Sequence, residues 1–268
     1  MFPRMPHASI NGQQIYYEDT GGEGPVVILA HGFLMDHEMF APQVAALRDS
    51  YRVVTWDERG FGDTEFDGKS FSYWDSASDC LGLMDHLAID RAVVGGMSQG
   101  GFLSLRVALT SPERVRALVL LDTESGVPTP EAMAAEQGMA DMWLSVGPVD
   151  QLADAVASLI IDEPAENAKW IAKWQARPKE TLRLPMECLH GREDITARLG
   201  EITCPALVVH GTADHAIEME KAEILAASLP GAGQVVKVPG AHAANLTHPA
   251  AVNAAILEFL EGLPDRLG

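Results

Sequence analysis

Six predominantly apolar runs of strand length, separated by segments of helical periodicity, constrain this chain more than any other feature. The runs lie at 26–30, 51–56, 92–95, 115–121, 206–210 and 235–238. Helical patterns fall between and after them at 39–47, 76–87, 99–110, 219–229 and 249–260. A strand that is apolar on both of its faces must be covered on both, and strand–helix–strand repetition supplies the covering helices. The expected fold is therefore α/β: a mostly parallel sheet of about eight strands with helices on both faces. The sheet is expected to open with an antiparallel pair, because Asn11-Gly12 precedes the strand pattern at 15–18 and this dipeptide suits a tight hairpin turn. Pro249 fits the first turn of the last helix, where a missing N–H leaves no acceptor unpaired.

One stretch breaks the alternation. Residues 123–203 contain no strand pattern but several helical ones, punctuated by Pro128, Pro130, Pro148, Pro164, Pro178 and Pro185. Trp143, Trp170 and Trp174, with the Leu and Ile content, give this stretch enough apolar area to fold. It reads as a helical cap inserted over the carboxyl edge of the sheet, with the core made of 1–122 and 204–268. Charge is uneven here. Residues 117–168 hold ten acids and no Lys or Arg, whereas 169–198 carry seven Lys or Arg against four acids.

The chemistry-bearing motif is Gly96-Met97-Ser98-Gln99-Gly100, which follows one apolar run directly and opens the next helix. In G-x-S-x-G the glycines permit a sharp strand-to-helix turn that lifts the serine above the sheet at a helix N-terminus. A serine hydroxyl needs a base, and the base needs an orienting acid. His242, between the last strand and the last helix, is the expected base. Asp214, just past the run at 206–210, is the expected acid, with Asp122 and Glu124 after 115–121 as alternatives. Ser98, Asp214 and His242 all fall at carboxyl ends of strands, in the chain order nucleophile, acid, histidine. The developing oxyanion needs two donors, expected from the backbone N–H groups of Gln99 and of Phe33 in His31-Gly32-Phe33. Within the cap, Met133, Met142 and Trp143 are expected to face the substrate pocket as adaptable apolar side chains.

HGF at 31–33, DERGFG at 57–62, GMSQGG at 96–101, HGTAD at 210–214 and GAH at 240–242 occur in order across nearly the whole chain outside 123–203. With these marks the sequence resembles the serine-nucleophile branch of the α/β-hydrolase superfamily. SPERVRALVLLDT at 111–123 and the segment 240–260 are similar to the enol-lactonase and small-esterase subgroup. Two positions depart from the pattern: Asp63-Thr64 stands where a serine is common, and no proline follows Asp214. Serine rather than aspartate at 98 sets the chain apart from haloalkane dehalogenases and epoxide hydrolases. The resemblance implies cofactor-free hydrolysis of a carboxylic ester or lactone: short- or medium-chain esters, enol-lactones or acyl-homoserine lactones. The same residues suit carbon–carbon bond hydrolysis of β-diketones or ring-cleavage products, a haloperoxidase or perhydrolase activity, or a ligand-binding module without turnover.

Composition narrows the partners. Nineteen Lys and Arg against 38 Asp and Glu give a formal charge of −19, which disfavours nucleic-acid backbones and anionic membrane surfaces. There is no phosphate-binding or dinucleotide motif, and His37-Glu38 lacks the second histidine of a zinc-hydrolase helix. No metal or cofactor is expected. Cys80, Cys188 and Cys204 are widely spaced and odd in number, so they read as reduced thiols. The N-terminal segment at 1–17 lacks the apolar run of a secretion signal, and the expected location is cytoplasmic. A homodimer is compatible with the sequence.

Overall fold

Asn11 and Gly12 carry the positive φ angles, 49° and 82°, that turn β1 (His7–Ile10) back onto β2 (Gln13–Asp19) as an antiparallel pair. The computed structural model describes residues 7–264; the first six residues of the segment expected to lack a secretion signal lie outside them. From β2 the sheet continues through β3 (Val26–Ala30), β4 (Arg52–Trp56), β5 (Ala92–Met97), β6 (Val115–Leu121), β7 (Ala206–Gly211) and β8 (Val236–Val238). Strand order is β1-β2-β4-β3-β5-β6-β7-β8. β2 pairs antiparallel with β4, and every pairing from β4 to β8 is parallel. This is the eight-stranded, mostly parallel sheet that the apolar runs predict.

Among the described residues ten α-helices surround it: α1 (Ala41–Leu47), α2 (Tyr73–His86), α3 (Gln99–Thr110), α4 (Pro130–Val146), α5 (Asp150–Ile160), α6 (Pro164–Ala176), α7 (Arg183–His190), α8 (Met219–Ser228), α9 (Ala244–Thr247) and α10 (Pro249–Gly262). The period of two along each strand divides the core. Ile28, Val54, Val94, Leu118, Leu120 and Val208 pack with α2, α3 and α8. Val27, Leu29, Val53, Val93, Val119, Leu121 and Val209 pack with α1 and α10 on the other face. Each such buried side chain contributes about 1.5–3 kcal/mol relative to exposure. The second cluster runs on into Trp143, Val156, Ile160, Trp170 and Trp174, so α4, α5 and α6 continue the core of that face.

α2 begins three residues earlier than its apolar period suggests. Ser72 and Asp75 form a capping box, in which Ser72 N–H donates to Asp75 Oδ2 at 2.8 Å and Asp75 N–H to Ser72 Oγ at 3.4 Å. Between β6 and β7 the described residues form α4–α7 and short 3-10 turns but no strand. α6 is fastened to the loops after β3 and β4. Lys173 Nζ lies 2.6 Å from Asp36 and 3.0 Å from Glu38, and Arg177 donates to Gly62 O at 2.6 Å and Gly60 O at 3.1 Å. Cys80 and Cys188 are buried free thiols, while Cys204 is half-buried. No described helix is long and apolar enough to cross a membrane.

Candidate active site

Ser98 sits between β5 and α3 with φ 52° and ψ −115°, a backbone region that disfavours side chains and recurs where function requires it. The fold forces this turn to be tight. A Cβ on Gly96 would come within 2.5 Å of Gly100 C, and one on Gly100 would collide with Ala30 O. The turn is pinned through its backbone: Ser98 N–H donates to Leu121 O at 2.9 Å, and Ser98 O accepts from Gly101 N–H, Phe102 N–H and Thr123 Oγ1. The hydroxyl itself makes no hydrogen bond among the described residues. In unliganded hydrolases the serine–histidine bond is often long and tightens only with substrate.

His242 and Asp214 are brought together. His242 Nδ1–H donates to Asp214 Oδ2 at 2.7 Å, which leaves Nε2 of the neutral ring free to accept a proton. Asp214 Oδ1 accepts from Ala216 N–H at 2.8 Å and Ile217 N–H at 2.9 Å. Burial opposes the charge on Asp214, but His242 and these amides outweigh it and hold the carboxyl below its ordinary range. His210 Nε2–H donates to Ile217 O at 2.9 Å and lies 3.4 Å from Asp214 Oδ2. Burial pushes the pKa of this ring down against the opposing pull of Asp214.

The two alternative acids are engaged elsewhere. Asp122 is wholly buried at φ 46° and accepts from Gly211 N–H at 2.7 Å. Burial, together with the negative charge of Asp214, pushes its pKa well up and so favours the neutral carboxyl. Glu124 pairs with Arg192 at 2.9 Å, both side chains being less than a tenth exposed. Neither bonds His242.

The Gln99 and Phe33 amides donate to no partner among the described residues, as a pair reserved for an oxyanion would. Gln99 is fixed at its side chain, where Tyr73 Oη donates to Oε1 at 3.2 Å. Phe33 stacks edge-on with Phe61. His31 beside it is satisfied on both nitrogens, donating from Nδ1 to Gly32 O and accepting Glu58 N–H at Nε2, so it is a structural residue.

The three expected pocket residues separate. Trp143 is buried and lines a cavity between α4, α6 and the loops after β3 and β4, together with Leu34, Phe61, Trp174 and Leu182. Met133 is half-buried. Met142 is 54% exposed, because adjacent helical residues point about 100° apart and Trp143 occupies the inward direction. The cations of 169–198 are mostly consumed internally: Lys169 and Lys173 by Glu38 and Asp36, Arg177 by two carbonyls, Lys179 by Ser145 O, Arg192 by Glu124, and Arg198 by Glu201. Arg183 is exposed.

Two features escape sequence reasoning. His37 donates from Nδ1 and from its backbone N–H to Asp57 Oδ1, at 2.9 and 2.7 Å, a second His–Asp pair that ties the loop after β3 to the loop after β4. Thr64, at the position departing from the family pattern, supplies its own hydroxyl to this loop, donating to Asp57 O at 2.6 Å. Asp36, His37 and Asp57, and likewise Asp122, His210 and Asp214, lie close enough to ligate an ion, but the hydrogen bonds above already occupy most of their atoms.

The second feature is Glu58, buried with neither carboxyl oxygen hydrogen-bonded at good geometry. Burial, with Asp79 adding to it, pushes its pKa up to about 8. Unfolded, this group ionises near the ordinary 4.5. The folded state therefore binds the extra proton between those limits, and the stability this group contributes falls as pH rises from about 4.5 to about 8. Glu58→Gln is expected to raise Tm over the parent by about 5 °C more at pH 8 than at pH 5. An equal shift at both pH values, measured by thermal melts, would show that Glu58 is ionised in the fold.

Comparisons with known proteins agree on the fold family and differ in the activities named. The sequence model of the family described as alpha/beta hydrolase fold matches residues 25–249. The solved enol-lactonase of Burkholderia xenovorans LB400 is 29% identical, with a TM-score of 0.87 over 96% of this chain and 100% of that one. A thermophilic esterase from Thermogutta terrifontis is 28% identical, with a TM-score of 0.86 over 96% and 97%. Among sequence relatives, a Caulobacter sp. (strain K31) protein named as a carbamate hydrolase, RutD, is 31% identical over 96% of this chain and 99% of its own length.

Proposed function

The chain belongs to the alpha/beta hydrolase fold family, and on that premise we propose that it is a serine hydrolase of neutral carboxylic esters or lactones, working through an acyl-enzyme. The observation that carries this reading is the Asp214–His242 pair, 2.7 Å apart with Nε2 left free, at the strand edge that also carries Ser98. In this mechanism His242 Nε2 takes the Ser98 proton as Oγ attacks the carbonyl carbon. The Gln99 and Phe33 amides receive the oxyanion, and His242 returns the proton to the leaving alkoxide. Water activated by the same nitrogen then attacks the acyl-enzyme and releases the acid. Asp214 stabilises the imidazolium at both steps and keeps the ring in the Nδ1–H tautomer.

Residues 123–203 act as the cap, their helices closing over the loops after β3 and β4, with Trp143 and Met133 toward the substrate. The cations support a neutral substrate: of the seven between 169 and 198, six already hold protein acids or carbonyls. A free carboxylate on the substrate would have to displace one of them. The test is a panel comprising short- and medium-chain p-nitrophenyl esters, a neutral lactone, a lactone bearing a carboxylate, and a β-diketone. Higher kcat/KM for the neutral esters and lactone is expected. Turnover of the diketone alone would make the chain a carbon–carbon bond hydrolase instead. A simple carbamate belongs in the same panel, because the 31% identical relative is named for that activity and a carbamoyl carbon undergoes the same attack.

A further inference from the structure

We infer that Trp174, on α6, is a positioning residue for the Phe33 amide, so that a helix of the inserted segment sets the oxyanion donor. The inference rests on the serine-hydrolase reading above. Phe33 occupies the second position of a turn from Gly32 to Met35, closed by Met35 N–H donating to Gly32 O at 3.0 Å. Leu34 occupies the third position with φ 64°. Turns with positive φ at that position want glycine there, and a leucine is held in it only by its surroundings. A rotation of Leu34 toward negative φ swings its carbonyl, and with it the turn that carries the Phe33 N–H, out of place.

Besides the closing bond of the turn and the packing of its side chain against the core, Leu34 is held by one hydrogen bond from α6. Trp174 Nε1–H donates to Leu34 O at 2.7 Å, and among the described residues that carbonyl has no other partner. The donor cannot wander: Trp174 is 4% exposed, its ring lies against Trp143 with centroids 5.9 Å apart, and it is part of the core cluster on that face of the sheet. Lys173 on α6 and Arg177 just past its end reinforce the placement without touching the turn's apex. Lys173 holds Asp36 two residues past Leu34, and Arg177 holds the carbonyls of Gly60 and Gly62 across the loop. The Trp174 indole is thus the contact through which α6 reaches the residue beside Phe33.

Trp174→Phe removes the N–H and keeps most of the ring. It is expected to lower kcat for a neutral p-nitrophenyl ester about tenfold with KM changed less than about twofold. The second-order rate of inactivation by a phosphonate, whose oxygen must enter the same donor pair, is expected to fall in parallel. The double variant Trp174→Phe/Leu34→Gly is expected to recover most of both rates, because glycine takes positive φ unaided. A tryptophan that matters only for packing would lower Tm, leave both rates of the folded enzyme unchanged, and gain nothing from glycine at 34. Wild-type rates in folded Trp174→Phe overturn the inference. Should that single variant not fold, a folded double variant with depressed rates overturns it equally, and one with restored rates supports it. Failure of the parent reading looks different: the wild-type protein itself would then take no phosphonate on Ser98.

Discussion

Ser98→Ala is expected to lower hydrolysis of a short-chain p-nitrophenyl ester by roughly 10⁴-fold or more while leaving the fold and Tm almost unchanged. The loss is large because the hydroxyl is the bond-forming atom of the proposed acyl-enzyme, and the donors that remain can only polarise the carbonyl toward water. The fold survives because the structure uses Ser98 through its backbone. Its N–H bonds Leu121 O and its carbonyl takes two amides and the Thr123 hydroxyl, all of which alanine retains. Alanine also bears φ 52° at much the same cost as serine, so the strain of the turn is carried over rather than released. Steady-state rates with a phosphonate titration of active sites check this directly. A variant that keeps esterase activity after purification to constant specific activity would sink the assignment of the nucleophile.

The second large effect separates two aspartates. Asp214→Asn is expected to lower kcat by roughly 10⁴-fold, and Asp122→Asn by no more than about tenfold. An amide at 214 can still accept through its oxygen, but it offers no charge to the imidazolium. Its NH₂ can also turn toward the ring and favour the wrong tautomer. At 122 the same substitution replaces a carboxyl whose charge burial and the neighbouring Asp214 already disfavour. A neutral amide can still accept the Gly211 N–H there. The ordering of the two variants, measured at saturating ester, is the readout. If Asp122→Asn abolished turnover and Asp214→Asn did not, the acid would lie at the end of β6 and the assignment made from the 2.7 Å bond would be wrong.

Local signals in the sequence carried most of the sheet. A run such as Val115–Leu121 is apolar on both faces except at Arg116, and the structure gives that run as β6 without a residue's change. The same holds for Val26–Ala30 and β3. The common placement of Ser98, Asp214 and His242 was legible for a related reason, since each follows a recognisable strand and so must emerge at one edge of a parallel sheet. What was not legible is pairing across distance. Nothing near His37 announces Asp57 twenty residues on, and nothing near Trp174 announces the Leu34 carbonyl 140 residues earlier. Two misreadings had local remedies. Met142 and Trp143 are neighbours on one helix and cannot both face inward, which the helical period states outright. The start of α2 was marked by Ser72 and Asp75, a capping-box spacing that the apolar period alone passes over.

The hydrogen-bond ladder of the sheet does not stop where the strands do. Past the end of β5, Ser98 N–H still reaches Leu121 O on β6. Past the end of β6, Asp122 N–H reaches Val209 O on β7. Past the end of β7, Thr212 N–H reaches Val238 O on β8, and Ala213 N–H reaches Gly240 O two residues before His242. The loops that carry Ser98, Asp214 and His242 are therefore extensions of one cooperative unit rather than appendages to it. Their amides continue the ladder of the central strands, and opening of those strands is expected to disrupt the three residues together. As temperature rises, the geometry of Ser98, Asp214 and His242 is expected to be lost with the sheet, in a single event.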